Sequence, residues 1–124
     1  MKICITAKDD NLDAEIDPRF GRAAYFIIID TDNMESESVQ NPFIQARGGA
    51  GIQAAQFVAN KNIDAVITGN IGPNSFQVLK EAGLNIISGV SGSVKTAVEK
   101  YNNGELESTE NPTVNEKFGM SPGN

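Results

Sequence analysis

The chain has three arginines, Arg19, Arg22 and Arg47, and each stands in a glycine-containing loop. A guanidinium is a planar, permanently charged group of donors suited to anions. Three runs of small residues accompany them: Arg47-Gly48-Gly49-Ala50-Gly51, Gly69-Asn70-Ile71-Gly72-Pro73 and Ser88-Gly89-Val90-Ser91-Gly92-Ser93. Each opens a segment with helical periodicity. A helix start presents unpaired backbone N–H groups and the positive end of the helix dipole, and glycine lets a ligand approach that backbone closely. Together these residues describe an anion site. The same features also have a plain structural reading. Glycines before helices serve tight turns, Asn70 stabilises its own loop, and Phe20, between Arg19 and Gly21, plugs its loop into the core.

Other chemistries find less material. The chain has no histidine and one cysteine, which excludes His-based catalysis, Cys/His metal cages and an internal disulfide. Cys4 is flanked by isoleucines and reads as a buried small hydrophobe. Gly49-Ala50-Gly51-Ile52-Gln53-Ala54 matches G-x-G-x-x-G/A, but no firm buried strand precedes it and no acid follows at the ribose-binding spacing. No lysine follows these glycines as a P-loop requires. Asp9, Asp10, Asp13, Glu15 and Asp17 crowd one segment without metal-loop spacing and read as a solvated loop. The net charge of −6 is the wrong sign for nucleic acid or an acidic membrane.

Positioning these groups falls to one domain, since 124 residues suit a single core. Residues 2–6 and 23–30 read as central strands covered on both faces, and 37–44 as a weaker strand that Pro42 places at an edge or ends. A helix of about eleven residues follows from Ala50. Residues 64–68 are a strand, Pro73 to Gly83 a helix, 85–88 a strand, and Ser93 caps a last helix ending near Asn103-Gly104. The order β-β-β-α-β-α-β-α predicts a mixed sheet: hairpins early, parallel strands with right-handed crossovers late. Residues 105–124 are polar and without periodicity, and read as a largely disordered tail. The longest apolar run, Ala23 to Ile29, is too short to span a bilayer, and the polar start at Lys8-Asp9-Asp10 leaves no room for a signal peptide, so a cytoplasmic location is expected.

Three stretches taken in order carry a resemblance: Asp17-Pro18-Arg19-Phe20-Gly21-Arg22-Ala23-Ala24-Tyr25-Phe26, Gly49-Ala50-Gly51-Ile52-Gln53-Ala54-Ala55-Gln56, and Ala65-Val66-Ile67-Thr68-Gly69-Asn70-Ile71-Gly72-Pro73-Asn74-Ser75-Phe76. In this order and spacing they resemble the dinitrogenase iron-molybdenum cofactor-binding family, which includes NifX-like proteins and the C-terminal part of NifB-like proteins. The resemblance implies a three-layer α/β/α domain of the ribonuclease H-like type over residues 1–107, with a five-stranded mixed sheet, a flexible tail over 108–124, and no catalytic residues. It implies a carrier of an anionic metal-sulfur cluster, iron-molybdenum cofactor or a related molybdenum or iron-sulfur species. The candidate site, from the arginines and glycine-rich helix starts, is Arg19, Phe20, Gly21, Arg22, Arg47, Gly48, Gly49, Gly51, Asn70 and Gly72. Many members carry a histidine in the Phe-Gly-Arg loop or just before the Gly-Ala-Gly helix. Here those positions correspond to Arg19 and to Ala46 or Arg47, so arginines and backbone amides take the place of imidazole. Two other functions stay open on sequence grounds: a regulatory or assembly module that binds a partner protein such as an ATPase without a cluster, and an enzyme acting on phosphorylated small molecules.

Overall fold

The computed structural model describes residues 1–114. Its elements follow the expected order: β1 (Lys2–Ala7), β2 (Tyr25–Asp30), β3 (Ser36–Gln40), α1 (Ala50–Ala59), β4 (Ala65–Ile67), α2 (Pro73–Glu81), β5 (Asn85–Ile87) and α3 (Val94–Asn102). They form a five-stranded mixed sheet in the order β3-β2-β1-β4-β5. β2 is antiparallel to both β1 and β3, whereas β4 is parallel to β1 and to β5.

Strand alternation divides the core in two. Cys4, Phe26 and Val66 point to one face, where Ala54, Ala55 and Val58 of α1 and Phe76 and Leu79 of α2 cover them. Ile3, Ile5, Ile27, Ile29 and Ile67 point to the other face, beneath Val94, Ala97 and Val98 of α3. β1 and β4 are therefore apolar at successive positions, because a central strand between two helical layers has no solvent side. β3, at the edge, is mostly exposed, and it is shorter than the expected 37–44. It stops at Gln40 because the next residue, Asn41, turns inward: its buried side chain donates to the carbonyls of Gly21 and Ala23 and accepts from the Phe43 amide. Pro42 then has no N–H with which to continue a ladder. β2 likewise begins at Tyr25 rather than at Ala23.

Since β1, β3, β4 and β5 run the same way, the chain leaves β3, β4 and β5 at one edge of the sheet, and α1, α2 and α3 all begin there. Ligands of open α/β sheets gather at such an edge. Residues 105–114 form neither helix nor strand, but they are fastened to the domain: Thr109 and Thr113 hydrogen-bond to the segments after β5 and β4. Residues 115–124, the remainder of the expected tail, lie outside the described residues. Among the described residues no helix is long and apolar enough to cross a membrane.

Cys4 is fully buried between the layers, and desolvation pushes its thiol up to about 12 from an ordinary 9. Between those values the folded chain keeps a proton that the unfolded chain has released, so stability falls as pH rises through this window. The contribution is up to about 1.4 kcal/mol per pH unit. Urea midpoints measured at neutral pH and above pH 9 should show this loss, and Cys4→Ala should remove that part of the alkaline slope.

Candidate functional site

The loop from Pro18 to Arg22 is drawn onto the helix-start edge by its backbone. Arg19 and Asn70 form a parallel bridge, with the Asn70 amide donating to the Pro18 carbonyl at 2.7 Å and the Phe20 amide to the Asn70 carbonyl at 3.2 Å. Such contact requires bare backbone on both sides. A Cβ on Gly69 would lie 2.7 Å from the Pro18 Cα, and one on Gly21 would lie 2.8 Å from the Gly51 Cα at the start of α1. These glycines let the loop, the β4–α2 junction and the first turn of α1 pack without intervening side chains. Close approach, rather than an unusual φ, is what they supply.

Two buried polar side chains brace the loop from beneath. Asp17 accepts from the Arg19 amide through Oδ1 at 3.1 Å and from the Ala24 amide through Oδ2 at 3.2 Å, and the Arg19 Nε lies 3.7 Å from the same Oδ1. Asn41 holds the carbonyls of Gly21 and Ala23 at 3.1 and 2.9 Å. Asp17 therefore departs from the solvated-loop reading of its segment: it is 3% exposed and organises the turn. The Thr6 hydroxyl reinforces this floor, lying 2.8 Å from both the Asp17 carbonyl and the Thr68 hydroxyl.

The result is a cleft open to solvent. Its walls include Arg19, Phe20, Gly21 and Arg22 from the loop, Gly49 to Ile52 from the start of α1, and Asn70, Gly72, Asn74 and Ser75 from the start of α2. Neither helix start has a side-chain cap: Gly49 and Gly72 occupy the cap positions, and Pro73 stands in the first turn of α2. First-turn amides have no acceptor within their own helix, and residues of both first turns line the cleft. Arg22 adds a half-buried guanidinium. Its Nη1 donates to the Ile44 carbonyl at 2.8 Å, and its buried Nε has no hydrogen-bond partner among the described residues. An orphaned donor on a charged group is costly unless a ligand or water completes it. Arg19 lines the cleft with a partly exposed guanidinium that is paired with Asp17.

Of the residues singled out in the sequence, the cleft gathers Arg19, Phe20, Gly21, Arg22, Gly49, Gly51, Asn70 and Gly72. Phe20 does so from within the core: it is 2% exposed and packs on Phe26 with ring centroids 5.7 Å apart, so it serves as floor and plug together. Arg47 and Gly48 are exposed and stand outside the cleft lining, just before Gly49. The third small-residue junction is closed. The first-turn amides of α3, those of Val94 and Lys95, donate to the carbonyls of Ala14 and Leu12, and Ser93 Oγ accepts from Thr96. The acidic segment that precedes Pro18 has folded over this helix start and satisfied it. Ile52, Asn74, Ser75 and Val114 join the cleft without having been singled out in the sequence. The first three lie in the first turns of α1 and α2, and helix registers alone could have pointed to them, whereas Val114 carries no local signal.

Comparison with known proteins follows the same lines. A sequence model for the dinitrogenase iron-molybdenum cofactor family matches residues 1–104. The chain is similar to the apo form of the orange protein from Desulfovibrio gigas, with 36% identity, a TM-score of 0.88, and coverage of 91% of this chain and 96% of that one. It is also similar to a Thermotoga protein put forward as a NifB protein, with 32% identity, a TM-score of 0.79, and coverage of 91% and 97%. An uncharacterised protein of Methanocaldococcus jannaschii is 29% identical over 113 residues, which is 89% of this chain and 92% of that protein.

Proposed function

Because the chain belongs to the dinitrogenase iron-molybdenum cofactor family, we propose that it is a small non-catalytic protein that binds an anionic metal-sulfur cluster, or a precursor of one, and carries it without covalent attachment. One observation supports this above the others: two uncapped helix starts and the guanidinium groups of Arg19 and Arg22 meet in a single cleft on a chain whose net charge is −6. Cationic character concentrated at one place on an acidic protein selects for small anions and against polyanions that need a broad basic surface.

The donor set suits outer-sphere binding. With no histidine in the chain, and with Cys4 buried and its thiol held protonated, the cleft offers a cluster no imidazole or thiolate ligand. A thiometallate surface presents negatively charged sulfur to N–H donors instead, which are what the cleft walls supply. Each helix start is worth about 0.3–1 kcal/mol and each charge-assisted hydrogen bond about 1.5–3, so the attraction corresponds to a Kd between roughly millimolar and micromolar. A carrier that must release its cargo needs affinity of this order. Groups that bind by charge alone also leave the cargo's own metal-sulfur bonds intact.

Anaerobic equilibrium dialysis with tetrathiomolybdate tests the reading. Saturable uptake near one anion per chain, weakened by high salt, is the expected result. Absence of saturation would overturn cluster binding, and turnover of a phosphate ester by the pure protein would overturn the non-catalytic role.

A further inference from the structure

The family match ends at residue 104, but the chain continues and returns to the cleft. Thr109 and Thr113 are its two fasteners. The Ser88 amide donates to Thr109 Oγ1 at 2.8 Å, the two hydroxyls of Ser88 and Thr109 lie 2.6 Å apart, and the Thr109 amide donates to the Ile86 carbonyl at 2.6 Å. Four residues on, the Ile71 amide donates to Thr113 Oγ1 at 2.8 Å, while the amides of Thr113 and Val114 both donate to the Ile71 carbonyl, at 2.9 and 3.3 Å. Ile71 immediately precedes Gly72, the cap position of α2. The segment thus bridges the end of β5 with its following turn and the turn that follows β4, and its last described residue, half-buried Val114, becomes a wall of the cleft.

We propose that residues 108–114 are a retaining strap for the bound anion. This inference rests on the cleft being the binding site. The polar walls supply attraction, but attraction between a charge and N–H donors weakens when water can reach both. Val114 adds an apolar wall to a cleft whose other walls are largely backbone and polar side chains, so it limits water access and slows escape. Thr109 and Thr113 hold that wall in place: their hydroxyl contacts, to Ser88 and Ile71, join the strap to turns and can break without unfolding the sheet, and the Thr109 amide alone reaches a strand, at the Ile86 carbonyl of β5. Entry and release then occur when the Thr113–Ile71 contacts open. Affinity is set mainly by Arg22 and the helix starts, and residence time by the strap.

The full-length variants T109V/T113V and V114A separate these roles. Loss of two hydroxyl fasteners, each worth about 1 kcal/mol, should speed tetrathiomolybdate release by about tenfold or more, with association at least as fast as in the wild type. V114A should speed release severalfold while leaving the fasteners in place. Two readouts do not need the ligand. Amide exchange at Ile71 and Ser88 should quicken in T109V/T113V, and in an I52C background the cleft thiol should react faster with a small alkylating reagent once V114A is added, Ile52 being a half-buried wall residue and Cys4 fully buried. Unchanged release rates in both variants would overturn the strap. If the wild type binds no thiomolybdate, the reading of the cleft as a cluster site fails, and the exchange and alkylation results then decide the strap separately: unchanged values reject it.

Discussion

Replacing Arg22 by alanine is expected to weaken thiomolybdate binding by about 10- to 100-fold, corresponding to the roughly 1.5–3 kcal/mol of a hydrogen bond that involves a charged group. Arg22 is the cleft guanidinium with a buried donor left over: Nη1 is committed to the Ile44 carbonyl, and Nε has no partner among the described residues. Arg47→Ala should change affinity by less than about threefold, because an exposed charge outside the cleft acts only through screened solvent. Arg22→Lys should recover only part of the loss. A lysine restores the charge but is a point donor without the planar fork that reaches Ile44 and the cleft together. Equal losses in Arg22→Ala and Arg47→Ala, measured by anaerobic titration of variants with wild-type circular dichroism, would show that the cleft does not discriminate between them.

The second large effect is on the scaffold. Gly69→Ala should destabilise the fold by about 2–3 kcal/mol, since overpacking a close contact costs about 1–3 kcal/mol and backbone cannot rotate out of the way. The added Cβ would meet the Cα of Pro18 at 2.7 Å and its carbonyl oxygen at 3.1 Å. The strain is relieved most easily by pushing Pro18 away, which breaks the pairing of Arg19 with Asn70 and moves both arginines of the loop. Thermal unfolding should therefore fall by roughly 6–15 °C, and thiomolybdate affinity should fall with it. Gly48→Ala is the matching control. Nothing lies within 4 Å of its would-be Cβ and the position is exposed, so both stability and affinity should stay near wild type. A Gly69→Ala protein with unchanged midpoint and affinity would contradict the role given to backbone contact at this junction.

Much of the architecture was legible because it rests on local signals. Apolar runs without alternation marked β1 and β2, Pro73 after Gly72 marked α2, and Ser93 marked α3, and in each case residues a few positions apart determine the outcome. The convergence of the Phe-Gly-Arg loop with the starts of α1 and α2 could be anticipated from parallel-strand topology. What escaped depends on contacts between distant segments. Asp17 looks like one more acid in a run of five, and only the amides of Arg19 and Ala24, brought round by the turn, make its burial favourable. The α3 start has the same composition as the other two. Its closure comes from Leu12 and Ala14, about eighty residues earlier, which no periodicity reveals. Thr109 and Thr113 sit in a polar stretch with no pattern, and their hydroxyls acquire meaning only opposite Ser88 and Ile71. Arg47 shows the converse: like Arg22 it stands beside a glycine, but its side chain is exposed and outside the cleft lining.

The most direct test of the central claim is an anaerobic titration of the isotope-labelled protein with tetrathiomolybdate, followed by backbone amide chemical shifts. Saturable shifts should concentrate at Arg19 to Arg22, Gly49 to Ile52, Gly72, Asn74, Ser75 and Val114, with the α3 start at Ser93 to Thr96 unmoved. Shifts centred on that third helix start, or spread without saturation over the surface, would contradict a cleft built from two helix starts and two arginines.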